Sequence, residues 1–242
     1  LIKVRLLALA ALLGCAGVES ESVPPPAEGQ FRVATWNIRF FPEPSTDVER
    51  TGEVLADLDA DLIAVQEIAD SSVLSSLLSE VNARLARQAR ESGGDAQRRY
   101  RYVLAESGGH GGQFVGYIYD DNALLLSDVE TLTSLQMTAD LRPGLFARVK
   151  SKRGGLDFQV IVMHTDSGTR DRDYQNRLRF LDSLGVELTG RRAADADVIV
   201  LGDLNTMGRL AEDGLRRIGW DEEVANLDRR AGEMGLNRLP NS

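Results

Sequence analysis

Short apolar runs alternate along this chain with charged, helix-periodic stretches, and several of the apolar runs stop abruptly on a polar residue. Val198-Ile199-Val200-Leu201 is β-branched and apolar, reads as a strand buried on both faces, and ends in Gly202-Asp203-Leu204-Asn205. Gly202 lets the backbone turn there, and the two-residue repeat of extended chain points Asp203 and Asn205 to one side. Residues 31–38 alternate as a first strand with Asn37 at its end, residues 61–68 run apolar into Gln66 and Glu67, and residues 158–163 deliver His164. Four strands thus each hand a polar group to a loop, the placement expected of a site built at strand ends.

Helices separate these strands. Thr46-x-x-Glu49 fits a capping box for a helix whose apolar positions are Val48, Val54, Leu55 and Leu58, although Gly52 weakens it. Ser71 or Ser72 can cap a second helix with Val73, Leu74, Leu77, Leu78, Val81 and Leu85 on one face, ending at Gly93-Gly94. Residues 171–188 predict a charged amphipathic helix and residues 210–218 a final short one. Residues 100–104 and 145–149 predict further strands, and residues 114–119 and 123–126, split by Asp120-Asp121-Asn122, predict a hairpin. The glycine-rich loop 107–112 has no following lysine, so it reads as a connection rather than a phosphate cradle, with His110 solvated.

With 242 residues and 43% hydrophobic content the chain can bury one large core, and a single domain is expected. A net charge of −9 argues against a protein that coats polyanions through a basic face. A nuclease stays open, because a metal ion can supply positive charge at a phosphate. Local arginines (Arg98, Arg99, Arg101, Arg170, Arg172, Arg177, Arg179) could add backbone contacts, though most read as solvated faces.

Lys3 and Arg5 precede an apolar stretch at 6–13, followed by Leu12-Leu13-Gly14-Cys15, which resembles a bacterial lipobox. Residues 1–14 are therefore read as a lipoprotein signal peptide. Cys15, the only cysteine, is read as the lipidation site, residues 15–30 with Pro24, Pro25 and Pro26 as a tether, and 31–242 as the folded domain. A mature protein held to a membrane of the bacterial envelope is the resulting expectation; no protein partner is expected.

Trp36-Asn37, Gln66-Glu67, His164 and Gly202-Asp203-Leu204-Asn205, in that order, together resemble the endonuclease/exonuclease/phosphatase superfamily of DNase I-like metal-dependent phosphoesterases. The resemblance implies an α/β fold, a four-layer sandwich of two mixed β-sheets flanked by helices, with the site along one edge. It implies Glu67 as carboxylate ligand of Mg2+ or Mn2+ with Asn37 beside it, Asp203 orienting or deprotonating the attacking water, Asn205 holding the phosphate, and His164 donating to a non-bridging oxygen. Tyr119 matches the family's substrate-facing strand only loosely and reads as a core residue. The implied substrate is a phosphate ester, a nucleic acid or a phospholipid head group among the options. The family's closing Asp-His pair is missing, since His110 follows Gly109 and His164 follows Met163. The sequence therefore predicts a C-terminally incomplete domain, reduced in activity and stability. A catalytically silent lipoprotein that keeps the fold for binding or scaffolding is the alternative.

Overall fold

The computed structural model describes residues 5–6, 30–94, 98–210 and 217–237. Cys15, all of the leader but Arg5 and Leu6, and nearly all of the tether lie outside the described residues. Among those described, no helix is long and apolar enough to cross a membrane.

Two mixed sheets of four main strands each form the centre. In the first, β1 (Arg32–Phe41) pairs in parallel with β2 (Leu62–Ile68), which pairs antiparallel with β4 (Phe114–Asp120), which pairs antiparallel with β3 (Tyr100–Leu104). A two-residue strand, Arg5–Leu6, runs parallel to Arg32–Val33 on the far side of β1. In the second sheet β5 (Leu124–Leu132), β6 (Gly144–Ser151) and β7 (Asp157–His164) are antiparallel neighbours, and β8 (Val198–Asp203) lies parallel to β7 with His164 opposite Asp203.

Alternation along the strands builds the layers. Leu62, Ala64, Val115, Tyr117, Leu145, Ala147, Val160 and Val162 face each other between the sheets. The intervening Ile63, Val65 and Ile118 face outward onto α1 (Val48–Leu58) and α2 (Ser71–Glu91), while Ile161 and Met163 pack on α3 (Asp171–Arg192). Full burial of each Val, Leu, Ile or Met among them stabilises by about 1.5–3 kcal/mol. The result is the four-layer α/β sandwich that the motif order implied.

Local capping differs from expectation by one residue in both early helices. Asp47 rather than Thr46 caps α1, accepting from the Arg50 amide, and Asp70 caps α2, accepting from the amides of Ser72 and Val73. Gly52 has a packing reason: an added Cβ would lie 2.8 Å from Leu77 Cδ1 on α2, so the two helices cross closely there.

Three expectations are corrected. The strands expected to form a hairpin around Asp120-Asp121-Asn122 belong to different sheets, β4 to the first and β5 to the second. Asp120 accepts from the backbone amides of Arg99 and Asn122 and pairs with Arg98, which fixes a sheet-to-sheet crossover instead of a turn. β8 is not buried on both faces: it is the last strand of its sheet among the described residues, and Val198, Ile199 and Val200 are half-buried. The final helix is α4 (Trp220–Glu233). Arg209–Leu210 and Arg217–Ile218 instead form a short antiparallel pair, and 211–216 lie outside the described residues. Three acidic residues in the first turn of α4, Asp221, Glu222 and Glu223, suit that start.

Candidate active site

Parallel strands β1 and β2 end at the same edge as parallel strands β7 and β8, so the two sheets bring four C-terminal strand ends together. Asn37 is carried by β1 just before an irregular stretch, in which Arg39 and Phe40 take positive φ angles of 49° and 52°. Glu67 on β2 also has a positive φ, 64°, at a break in the register with β4. Left-handed backbone in non-glycine residues costs energy and persists where the surroundings enforce it. Here it turns the Glu67 carboxylate to face Asn37 and the Phe40 amide. Gly202, with φ of 142°, is required by contact as well as by conformation: a Cβ would lie 1.9 Å from the Met163 carbonyl oxygen.

All five expected residues come together. Asn37 Nδ2 donates to Glu67 Oε1 at 2.9 Å and to Asp203 Oδ2 at 3.0 Å, so one amide bridges the two sheets. His164 Nε2 lies 3.6 Å from Glu67 Oε1 and 3.9 Å from Asp203 Oδ2, with only 2% of its side chain exposed. These separations are contacts rather than hydrogen bonds. Asn205 has a positive φ of 44°; its amide N–H donates to Asp203 Oδ1 at 3.0 Å and its Nδ2 to the Thr165 carbonyl at 3.0 Å. Its side-chain amine is thereby engaged with the backbone rather than with Asp203's outer oxygen.

Two further residues were not read from the sequence. Gln113 Nε2 donates to Glu67 Oε2 at 3.2 Å, alongside the Phe40 amide at 3.1 Å. Arg142, buried, donates from Nη1 to Gln113 Oε1 at 2.9 Å and from Nη2 to the Thr165 carbonyl at 3.2 Å, while its Nε has no partner among the described residues. Both residues precede antiparallel strands, β4 and β6, whose N-terminal ends reach this same edge.

Burial, then the neighbouring Arg142 guanidinium, push the His164 pKa down to about 3 against the opposing pull of Asp203. The imidazole is therefore neutral at physiological pH. Its Nδ1 is buried without a partner among the described residues, which leaves Nε2 as the ring nitrogen turned to the carboxylates. Burial also lowers the Arg142 pKa, opposed by Glu67, Asp166 and Asp203.

Among the described residues, no group of three or more His, Cys, Asp or Glu side chains forms a ready cage for a metal ion. Mg2+ does not need one, since it commonly takes one or two carboxylates together with water and substrate phosphate. The donor set fits that pattern. Glu67 accepts three hydrogen bonds and Asp203 two, so carboxylate lone pairs stay open on both sides of the Asn37 amine. Two carboxylates with a neutral histidine between them also leave an excess of negative charge that a cation would offset.

Other sequence expectations resolve elsewhere. His110 is exposed and sits 2.9 Å from Asp140 in a surface pair. Tyr119 packs against the inter-sheet core. Arg98 and Arg177, grouped by sequence with surface arginines, are both buried in ion pairs.

A two-sheet sandwich carrying an amide-bridged carboxylate pair and a buried histidine at one edge defines a DNase I-like α/β protein. The chain belongs to the Endonuclease/Exonuclease/phosphatase family, whose sequence profile matches residues 34–229. Similar solved structures include the human Nocturnin catalytic domain with bound sulfate anion, at 17% identity, TM-score 0.51, covering 72% of this chain and 64% of that one. D. rerio TDP2 complexed with single strand DNA product is 18% identical, TM-score 0.51, covering 86% and 65%. A mannosyl-6-phosphatase from Bacteroides thetaiotaomicron is 15% identical, TM-score 0.50, covering 72% and 64%. The chain thus spans about two thirds of the length of these structures. No curated protein matches it by sequence.

Proposed function

We propose that this protein hydrolyses a phosphate ester, assisted by Mg2+ or Mn2+, and that Cys15 tethers it by a lipid anchor to a membrane of the bacterial envelope. The observation that carries the catalytic part is the single Asn37 amide shared by Glu67 and Asp203, with neutral His164 behind them. Glu67, flanked by Asn37, would hold the divalent ion, which when bound supplies positive charge at the phosphoryl oxygens. Asp203 orients and deprotonates the attacking water; its Oδ1 is fixed by the Asn205 amide and its Oδ2 by Asn37. Asn205 holds the phosphate through the second N–H of its Nδ2, the other being given to the Thr165 carbonyl, and His164 offers its Nε2–H to the charge that builds on a non-bridging oxygen. Arg142 and Gln113 keep Glu67 turned toward the site.

The phosphate-ester class is supported by family membership and by neighbours described as a phosphatase and as holding a DNA product. The leader pattern and solitary Cys15 support the anchor. The test is hydrolysis of nucleic acid, phospholipid and sugar-phosphate esters with and without Mg2+ or Mn2+, comparing wild type with Asp203→Asn. Removal of the base should lower the rate by about a hundredfold or more. Equal rates for the two proteins would overturn the assignment, and activity unchanged by chelation would overturn the cation.

A further inference from the structure

One buried ion pair lies beneath the loops that carry the site and is not used by the chemistry above. Arg177 on α3 and Glu223 on α4 have side chains only 3% and 7% exposed. The guanidinium places all five of its N–H groups. Nε and Nη2 donate to Glu223 Oε1 and Oε2 at 2.6 and 3.1 Å. Nη1 donates to the carbonyls of Asp166 at 3.2 Å and Gly168 at 2.8 Å, and Nη2 also donates to the carbonyl of Gly208 at 2.9 Å. Glu223 Oε2 in turn accepts from the Gly208 amide at 2.5 Å.

These carbonyls belong to two loops. Asp166 and Gly168 follow His164, and Gly208 follows Asp203 and Asn205. Close to the site the same loops are joined by the Thr165 amide to the Asp203 carbonyl at 3.0 Å and by Thr165 Oγ1 to the Leu204 carbonyl at 2.6 Å. Farther out they are joined by the Leu210 amide to the Thr169 carbonyl at 2.7 Å, by the Gly168 amide to Met207 Sδ at 3.3 Å, and by Arg177, which alone reaches both loops from a helix beneath them. A cleft lined by Thr165, Leu204, Thr206, Leu178, Leu181 and Leu227 opens behind the loops beside the ion pair, so the pair spans a place where side chains leave space. Gly208 is fitted to it: φ is 75°, and a Cβ would lie 2.4 Å from the Ile218 carbonyl oxygen.

We infer that Arg177 and Glu223 are a positioning pair for the active site, fixing the loop after His164 against the loop after Asp203. Neither touches the reacting groups; both act through the backbone on where Asp203 and Asn205 sit. The inference rests on the proposed hydrolytic role of those residues. A buried ion pair replaced as a whole by apolar side chains often costs no stability, whereas the backbone bonds it made are lost. A loss of kcat at unchanged KM in a folded variant, with faster exchange confined to the two loops, separates positioning from stabilisation.

The test compares wild type, Arg177→Lys, and the double variant Arg177→Met with Glu223→Leu. The readouts are thermal midpoint, amide hydrogen exchange at 165–169 and 204–210, and kcat and KM for bis(p-nitrophenyl) phosphate with Mn2+. A lysine keeps the charge but its single ammonium cannot span both loops and the carboxylate. The double variant should fold but melt several degrees below wild type, since the backbone groups of Asp166, Gly168 and Gly208 lose their partners, exchange the two loops faster, and lose about tenfold to a hundredfold in kcat with KM little changed. Arg177→Lys should share the loop and kcat effects. A folded variant with wild-type kcat and wild-type loop exchange overturns the inference. If wild type itself hydrolyses no ester, the proposed function fails by that result, and loop exchange alone then decides: unchanged exchange refutes the pair's role. Should neither variant fold, Glu223→Gln, which removes the charge and turns one accepting oxygen into a donor facing Arg177 or the Gly208 amide, takes their place under the same criteria.

Discussion

Each site residue stands where a strand's apolar pattern breaks, and the break has a local physical cause. At Gly202 the cause is the Met163 carbonyl; at Glu67 it is a left-handed backbone held by the register break with β4. His164 lends itself to a direct test of its environment. Its pKa is about 3 in the folded protein and near 6.5 when exposed, so between those values the unfolded chain binds the extra proton. Stability from this group is full above pH 6.5 and falls as the pH drops toward 3, by at most about 1.4 kcal/mol per pH unit. Urea denaturation at pH 7.5 and pH 5 should show a larger loss for wild type than for His164→Gln. The same loss in both would mean that the imidazole is not held neutral. Asn37, Glu67, His164, Asp203 and Asn205 were legible in sequence because each closes an apolar run. Gln113 and Arg142 were not, because they precede their strands, and a search for polar residues at strand ends reads only the C-terminal side. Antiparallel β4 and β6 bring N-terminal ends to the same edge, and that pairing is set by tertiary contacts which no local pattern records.

At the scale of elements, periodicity located α1, α2, α3 and all eight main strands, but it did not assign partners. Asp120-Asp121-Asn122 has the composition of a hairpin turn, and only the bonds to Arg98 and the Arg99 amide turn it into a crossing between sheets. The helix expected over 210–218 shows the same limit at its described ends, where Leu210 and Arg217–Ile218 lie in a strand pair, and the acidic first turn of Trp220–Glu233 marks the helix start that follows it. Gly52, which weakened the prediction of α1, is instead a contact point between α1 and α2. Gly52→Leu should lower stability by about 1–3 kcal/mol, because the larger side chain must displace Leu77 and Val81, 2.8 and 3.3 Å from the position of an added Cβ. Chemical denaturation checks this; unchanged or increased stability would show that the helices separate freely.

Across the whole molecule the two ends of the sandwich do different jobs. Opposite the site, at the other ends of β2 and β4, Arg98 lies 3.0 Å from Asp61 and 3.4 Å from Asp120, both carboxylates fully buried. Arg98→Met would leave that acidic pair without its nearest cation, and removing one partner from a buried pair costs about 3–5 kcal/mol. The variant should therefore melt far earlier while, at a temperature where it is still folded, keeping wild-type affinity for Mn2+. Loss of affinity without loss of stability would show that the two ends are coupled.

The claim on which the account turns is that Glu67, with Asn37 beside it, holds a divalent cation. Calorimetric titration of Mg2+ and Mn2+ into wild type and Glu67→Gln measures it most directly. The account predicts saturable binding by wild type and at least about tenfold weaker binding by the variant, given that even residues supporting a metal ligand are worth that much. Equal binding by the two proteins, or none by wild type, would contradict it.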